Sequence, residues 1–599
     1  MFTLFNFKMS HYFSISYGLK FSRDLFTTKK LLLRTRKFTK KGIVRNFSVE
    51  RTQENDQQSE NFVPFLERID LKRSEAKKSI IVQVQSANSF KELHNYCSSI
   101  GKVEGMFHYT SGVEPLHFII VEFEKELDAK NIMDTSNYLK ENMAIPTHSH
   151  FLWFRAANRK LAKLKLNQSP KIFVKDGTKI LEEADIREAL SKCEEISDQI
   201  KVLHSITKLN EVGTRLRFLT AHQVEKAVSG MFPYACAYPF GSSVNGYGKM
   251  GCDLDLILRL EDKNLDDKNT DTDSRLVFHC KPVMGTERSV TQRHIETLGD
   301  IIHLFLPGCG NVRRILQARV PIIKYHQQLT DVECDVSMTN MSGVHMSDFL
   351  YIMGEMDDRV RPLVFCIRKW ANIVGITNSS PGRWITNFSL TLLVLAFLQR
   401  PINSPPVLPS LNYLTKFAGS KDEFEIETGI TCKFLRDIRQ LKYTTQNKES
   451  MESLLLEFFV YYSQFDFSNK AICLNETIDI LKPEYSPLYI VNPLERGLNV
   501  SKNVSLEEVE RFRAEVKNAA WILESRENNK LGLLSIFEQK KTTSANTFTF
   551  QTKPNRLMKV SDLFEIENEG DLKETNRKQN FGLKKKSRND SIILKNRQR

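Results

Sequence analysis

A chain of 599 residues is longer than one hydrophobic core organises, and it implies three or four folding units. With 41% hydrophobic and 26% charged residues, and no apolar run long enough to span a bilayer, it is neither a low-complexity nor a membrane-spanning chain. The net charge of +14 sits at the ends, +10 on residues 1–47 and +7 on residues 571–599, so nucleic acid on the body between them (about −3) needs a local basic groove.

Residues 1–47 hold eleven Lys and Arg against the single acid Asp24, are rich in Phe, Ser and Thr, and lack a long apolar core. That composition predicts a mitochondrial transit segment rather than a secretory signal, with Arg45-Asn46-Phe47-Ser48 as a processing site and the matrix as destination. A basic arm that binds nucleic acid is the other reading of such a run. Residues 48–75 are polar and charged, and read as a linker. The ten cysteines show neither a Cys-x-x-Cys pair nor His/Cys ligand spacing, which predicts reduced thiols and no structural zinc.

Over 76–156, apolar alternation predicts strands at 79–85, 103–110, 117–123 and 150–155, and helical spacing predicts helices at 90–100 and 127–138. This βαββαβ order is that of an RNA-recognition motif. Such a sheet stacks bases on aromatics of its two central strands. Here Ile81 and Ile120 stand at two of those positions and only Phe118 is aromatic. The domain is therefore expected to bind protein, with a homodimer as the favoured assembly. Residues 157–229 read as a basic connector (Lys160, Lys163, Lys165) followed by charged helices.

Residues 230–346 are expected to form a mixed α/β palm. A candidate strand at 235–240 leads into Gly241-Ser242, and ten residues separate Ser242 from Asp253. Asp253-Leu254-Asp255-Leu256-Ile257-Leu258 reads as a strand. Alternation puts Asp253 and Asp255 on one face, about 7 Å apart at Cα, with Leu254 and Leu256 in the core behind. Two carboxylates beside a turn of free backbone N–H groups suit divalent cations held against a triphosphate, the arrangement of nucleotidyl transfer. Gly246-x-Gly248-x-x-Gly251 has the spacing of a dinucleotide fingerprint, but that fingerprint opens a helix and this one enters a strand. A Walker A loop beginning at Gly241 fails too, with Tyr247 where its lysine belongs. A polar acidic loop is expected at 261–273 and a strand at 318–325. Val332, Cys334 and Val336 then alternate inward, so Glu333 and Asp335 share the outer face, and either could complete a metal-binding set.

Residues 347–535 are expected to be mainly helical. Val360, Leu363, Val364, Ile367, Trp370 and Ala371 form one apolar stripe, with Arg361, Arg368 and Asn372 off it. The stretch 384–399 is uncharged but contains Thr386, Asn387, Ser389 and Thr391, which fits a buried helix rather than a membrane span. A Pro-rich turn follows at 400–409. Residues 536–599 are polar, contain Lys584-Lys585-Lys586, and read as a disordered basic tail.

The turn and the Asp-x-Asp strand resemble the signature of the polymerase-beta-like nucleotidyltransferases. Within that group, residues 240–258, 320–340, 358–371, 381–399, 405–409, 455–467 and 490–495 are similar to the terminal RNA nucleotidyltransferases, which add A or U tails. The resemblance covers roughly residues 200–525. It implies an α+β chain made of an RNA-recognition-motif-like dimerisation domain, a nucleotidyltransferase palm and a helical poly(A)-polymerase-associated domain. It implies Asp335 as the third catalytic and metal-binding carboxylate beside Asp253 and Asp255, holding two Mg²⁺ or Mn²⁺ ions. It also places Gly241 and Ser242 against the triphosphate, the Gly251 and Cys252 backbone close to it, and Asn340 on the ribose. Arg368 stands where relatives carry a triphosphate-binding lysine, and Phe388 where they carry a base-stacking tyrosine. Asn372 replaces a second lysine, so the phosphate grip is weaker or comes from elsewhere. The implied activity is template-independent extension of an RNA 3′ end. Uridylyl-selective members read uracil with a histidine late in the helical region; here the last of 13 histidines is His345, which predicts ATP as substrate. A uridylyltransferase and an RNA-binding scaffold without chemistry are the alternatives.

Overall fold

A computed structural model describes residues 62–537, apart from 137–150, 155–170, 174, 231, 233–234, 261–283, 340, 379–381, 427–428, 442, 479 and 526–530. The expected transit segment, the acidic loop at 261–273, Asn340 and the tail from 538 lie outside the described residues.

The segment expected to be a linker contains helix α1 (Phe65–Lys77). Its apolar residues Phe65, Ile69 and Ala76 are buried along one face. The charges that gave it a linker composition are paired with a later helix, Arg73 with Glu225 at 2.7 Å and Lys72 with Glu211 at 3.0 Å. Beyond it, β1 (Ser79–Val84), α2 (Phe90–Ser98), β2 (Val103–Ser111), β3 (Leu116–Phe123), α3 (Glu126–Ser136) and β4 (Phe151–Trp153) follow the expected order. The sheet runs β4-β1-β3-β2-β5, where β5 (Lys171–Phe173) is a parallel addition too short for alternation to announce. Ile80, Val82, Val121 and Phe123 pack under α2 and α3. The opposite face carries Ile81, Phe107, Tyr109, Phe118 and Ile120, all buried in the main core with Phe65 and Ile69. Tyr109 Oη donates to Leu329 O at 2.8 Å. The face on which an RNA-recognition motif would stack bases is thus covered by the rest of the chain.

The second sheet is built from β6 (Ala235–Phe240), β7 (Leu254–Leu260), β8 (Cys309–Ile315), β9 (Ile322–Gln327) and β10 (Val332–Ser337), in the order β6-β7-β10-β9-β8. Only β7 and β10 are parallel. Leu254, Leu256, Leu258, Cys334 and Val336 pack on one side against α6 (Glu211–Val228) and α7 (Glu287–Phe305). Helix α6 falls among the helices expected after the connector, and it supplies Ala221 and Val224 to this core. Helix α7 and strand β8 were not anticipated, although Thr286 caps α7 by accepting from Ser289 N at 3.3 Å, and Ile295, Leu298 and Ile302 follow at helical spacing. Strand β9 begins at Ile322 rather than 318, after Pro321, which has no N–H to give the ladder.

The helical part comprises α4 (Glu183–Ser191), α5 (Ile196–Thr207), α8 (Ser342–Glu355), α9 (Val360–Ile373), α10 (Asn387–Leu398), α11 (Leu411–Phe417), α12 (Met451–Gln464), α13 (Leu506–Glu524) and α14 (Leu534–Phe537). Helix α5, another of the helices expected after the connector, packs on α9 and α12. The apolar stripe of α9 is buried as expected, and the Trp370 ring meets Phe459 edge-on at 4.7 Å between centroids. Every residue of α10 from Ser389 to Leu398 is buried, and no described helix is long and apolar enough to cross a membrane. Ile536 and Phe537 are buried too, so the ordered core runs into the expected tail before 538. The nine described cysteines are all unpaired.

Candidate active site

Strands β7 and β10 place Asp255 directly opposite Asp335, and Asp253 stands one residue before β7 begins. Because leucines, Cys334 and Val336 turn inward on both strands, the three carboxylates emerge together. One oxygen of each lies within 4.8 Å of the others. Glu333 shares the outer face but pairs with His326, two residues earlier along the strand, and is not part of this cluster. Register, which alternation alone leaves open, separates the two acids.

The Gly-Ser turn closes on this cluster. Phe240, the last residue of β6, pairs opposite Asp255. Gly241 has φ +71°, and a Cβ there would come within 2.4 Å of Asp255 Oδ2, so both backbone and space require glycine. Gly241 N donates to Ser347 Oγ at 2.7 Å, and Ser243 Oγ donates to Asp253 O at 2.7 Å, fixing the turn to α8 on one side and to the residue before β7 on the other. Ser242 is half-buried at its apex, and its hydroxyl has no hydrogen-bond partner among the described residues. Gly251, at φ +77°, lies against Ile180, and Arg217 donates to Cys252 O.

Electrostatics fit a cation site. Burial first, then the charges of Asp253 and Asp335, push the Asp255 carboxyl up to about 7. Burial also raises Asp335, against the opposing ammonium of Lys324. Lys324 is the Cα partner of Asp335 on β9, and its Nζ is 2.6 Å from Asp335 Oδ1. Burial works to lower this ammonium, but the contact with Asp335, with Asp253 and Glu333 nearby, carries it above its ordinary value. The sequence reading missed Lys324. Its signal was a lone charge between the buried Ile323 and Tyr325. Three carboxylates form an all-oxygen donor set, which suits hard cations such as Mg²⁺ or Mn²⁺.

The other expected nucleotide contacts lie on the helical side. Arg368 donates from Nη1 to Tyr247 O at 2.8 Å and from Nε to Thr391 Oγ1 at 3.0 Å, and burial lowers its guanidinium to about 10. It ties the turn to α10 instead of presenting an open cation. Asn372 is exposed one turn further along α9, and Phe388 is half-buried in the first turn of α10. Among the described residues, neither is part of the acidic cluster.

A family model described as "Poly(A) RNA polymerase, mitochondrial-like, central palm domain" matches residues 196–355. Over 515 residues the chain is 49% identical to the mitochondrial poly(A) RNA polymerase of Drosophila melanogaster, covering 83% of each. The chain belongs to the mitochondrial poly(A) RNA polymerase family. The human member is 34% identical over 530 residues, 86% of this chain and 87% of that one. A crystal structure of mtPAP with ATPγS superposes with a TM-score of 0.71 at 33% identity, over 79% of this chain and 99% of the other. The stretch matched by the palm model, 196–355, includes α5 and α6.

Proposed function

We propose that this poly(A) RNA polymerase extends RNA 3′ ends inside the mitochondrion with adenylate taken from ATP. The observation that carries the reading is the meeting of Asp253, Asp255 and Asp335 beside the Gly241–Ser243 turn. Divalent cations held by these acids, two per site, would acidify the RNA 3′ hydroxyl and neutralise charge on the triphosphate. The chain's own part is placement. Gly241 lets the turn approach Asp255, Ser242 keeps its hydroxyl for a phosphate oxygen, and Lys324 orients Asp335. Gly251 and Cys252 bring backbone toward the triphosphate, Asn340 takes the ribose, and the Phe388 ring offers a face to the base. Arg368 and Asn372 flank the nucleotide on α9.

The choice of ATP over UTP rests on the lack of any histidine after His345. The crystallised relative was solved with ATPγS, UTP, GTP and CTP, so in that protein binding admits all four bases. For this chain, selectivity is expected in incorporation rather than in binding. Steady-state incorporation of each ribonucleotide onto an RNA primer tests this. ATP should be preferred, and equal or greater use of UTP overturns the assignment.

Two assembly-level readings accompany it. The N-terminal sheet is read as a homodimer element, since its base-stacking face is covered while Trp153 on the edge strand β4 is 65% exposed. The matrix is read as the location from the composition of residues 1–47 and from the mitochondrial relatives. Light scattering on the purified chain and imaging of a fusion of residues 1–60 check the two. A monomer, or a diffuse cytosolic signal, contradicts them.

A further inference from the structure

Helix α9 is the expected source of cations for the triphosphate, yet it offers little free charge. Arg368 is committed to Tyr247 O and Thr391, Lys369 is paired with Glu183, and position 372 is the neutral Asn372. Positive charge reaches the same turn by another route. The end of α5 and the residues after it run antiparallel to the last part of the turn: Leu209 N donates to Gly248 O at 2.8 Å and Met250 N to Thr207 O at 3.0 Å. Lys208 and Lys249 are therefore direct Cα partners. A third segment lies against both. Asn210 Nδ2 donates to Gly177 O at 2.7 Å, and a Cβ on Gly251 would approach Ile180 Cδ1 to 2.9 Å, which brings Lys179 to the same rim.

All three lysines are exposed, and none has a carboxylate partner among the described residues. Directly opposed residues on antiparallel backbone place their side chains on one face, about 5 Å apart at Cβ, where like charges repel. Such a pair, with no carboxylate partner among the described residues, is a place for an anion. It also stands next to the chemistry: Cys252 N donates to Lys249 O at 3.1 Å, closing the turn that delivers the chain to Asp253.

We infer that Lys208 and Lys249, flanked by Lys179, grip the terminal phosphates of the incoming nucleoside triphosphate, in place of the cations that α9 does not present. The inference rests on the reading of the acidic cluster as a nucleotidyl-transfer centre. The triphosphate is the occupant because the lysines are docked on the turn whose other end, Gly241-Ser242, faces the same ligand. An RNA phosphodiester has the same chemistry and is separated by experiment.

Equilibrium binding of ATPγS to the full chain, wild type against the Lys208→Ala, Lys249→Ala double variant, reads the grip directly. The dissociation constant should rise about ten-fold, and about three-fold for Lys249→Gln alone, as expected for exposed charge-assisted contacts. AMP binding should not change. Lys208→Arg with Lys249→Arg should restore ATPγS binding. Without nucleotide, the double Ala variant should unfold at no lower temperature than wild type, because the charges removed repel each other. In primer extension KM for ATP should rise while KM for the RNA primer holds. An unchanged ATPγS constant overturns the inference, and so does a rise confined to KM for RNA. Should the Asp253→Ala chain still extend RNA while the lysine variants lose ATPγS, the reading of the acidic cluster as the transfer centre fails and the phosphate grip stands.

Discussion

Asp255 sits where burial and two like charges meet, with Asp253 and Asp335 both pushing its carboxyl upward. A site arranged this way is strained until cations arrive. Replacing Asp255 by Asn removes one of the repelling charges, so the metal-free variant should be more stable than wild type by on the order of 1 kcal/mol. Mn²⁺ should raise the melting temperature of wild type and leave that of the variant nearly unchanged, which thermal scans with and without the ion measure. A variant less stable than wild type, or one stabilised equally by Mn²⁺, contradicts this electrostatic picture. Asp253 and Asp255 were legible because alternation is a local property of one strand. The choice between Glu333 and Asp335 was not, because both satisfy alternation and only the parallel register of β10 on β7 separates them. Lys324 acts through a neighbouring strand, so nothing in its own segment pointed to Asp335.

Helix α9 is a brace between the turn that carries Tyr247 and α10. Arg368 makes both ends of that brace, to Tyr247 O and to Thr391 Oγ1. Arg368→Ala leaves a buried carbonyl and hydroxyl short of a donor, and should cost about 2 kcal/mol of stability along with a loss of kcat/KM for ATP. Denaturant unfolding and steady-state kinetics on the same preparation separate the possibilities. Activity lost at unchanged stability would mark Arg368 as a phosphate ligand rather than a brace. The stripe of α9 and the continuous apolar run of α10 were readable from spacing alone. Helix α1 was not, because the charges that made it look like a linker are neutralised by Glu211 and Glu225, more than a hundred residues away. Strand β5 was too short to carry a period, whereas α7 had a cap and a stripe that could have been read.

Across the whole molecule, the N-terminal sheet is part of the main core rather than an appended module. Phe118 and Tyr109 stack at 5.2 Å between centroids and are buried with residues of α1. Phe118→Ala should therefore destabilise the chain by about 3 kcal/mol and do so in one cooperative transition. Calorimetry that shows the sheet melting separately, with the palm unaffected, contradicts that shared core. The topology of this sheet was legible, but not its burial, since a covered face and an open apolar face have the same sequence pattern.

Nucleotidyl transfer in this chain depends most on the convergence of Asp253, Asp255 and Asp335 from neighbouring strands, as proposed above. Primer extension with ATP and Mg²⁺, comparing the full chain with its Asp335→Asn variant, tests that claim most directly. Wild type should grow an adenylate tail on the RNA, and the variant should grow none while keeping the wild-type melting profile. Extension by the folded variant at near the wild-type rate would contradict it.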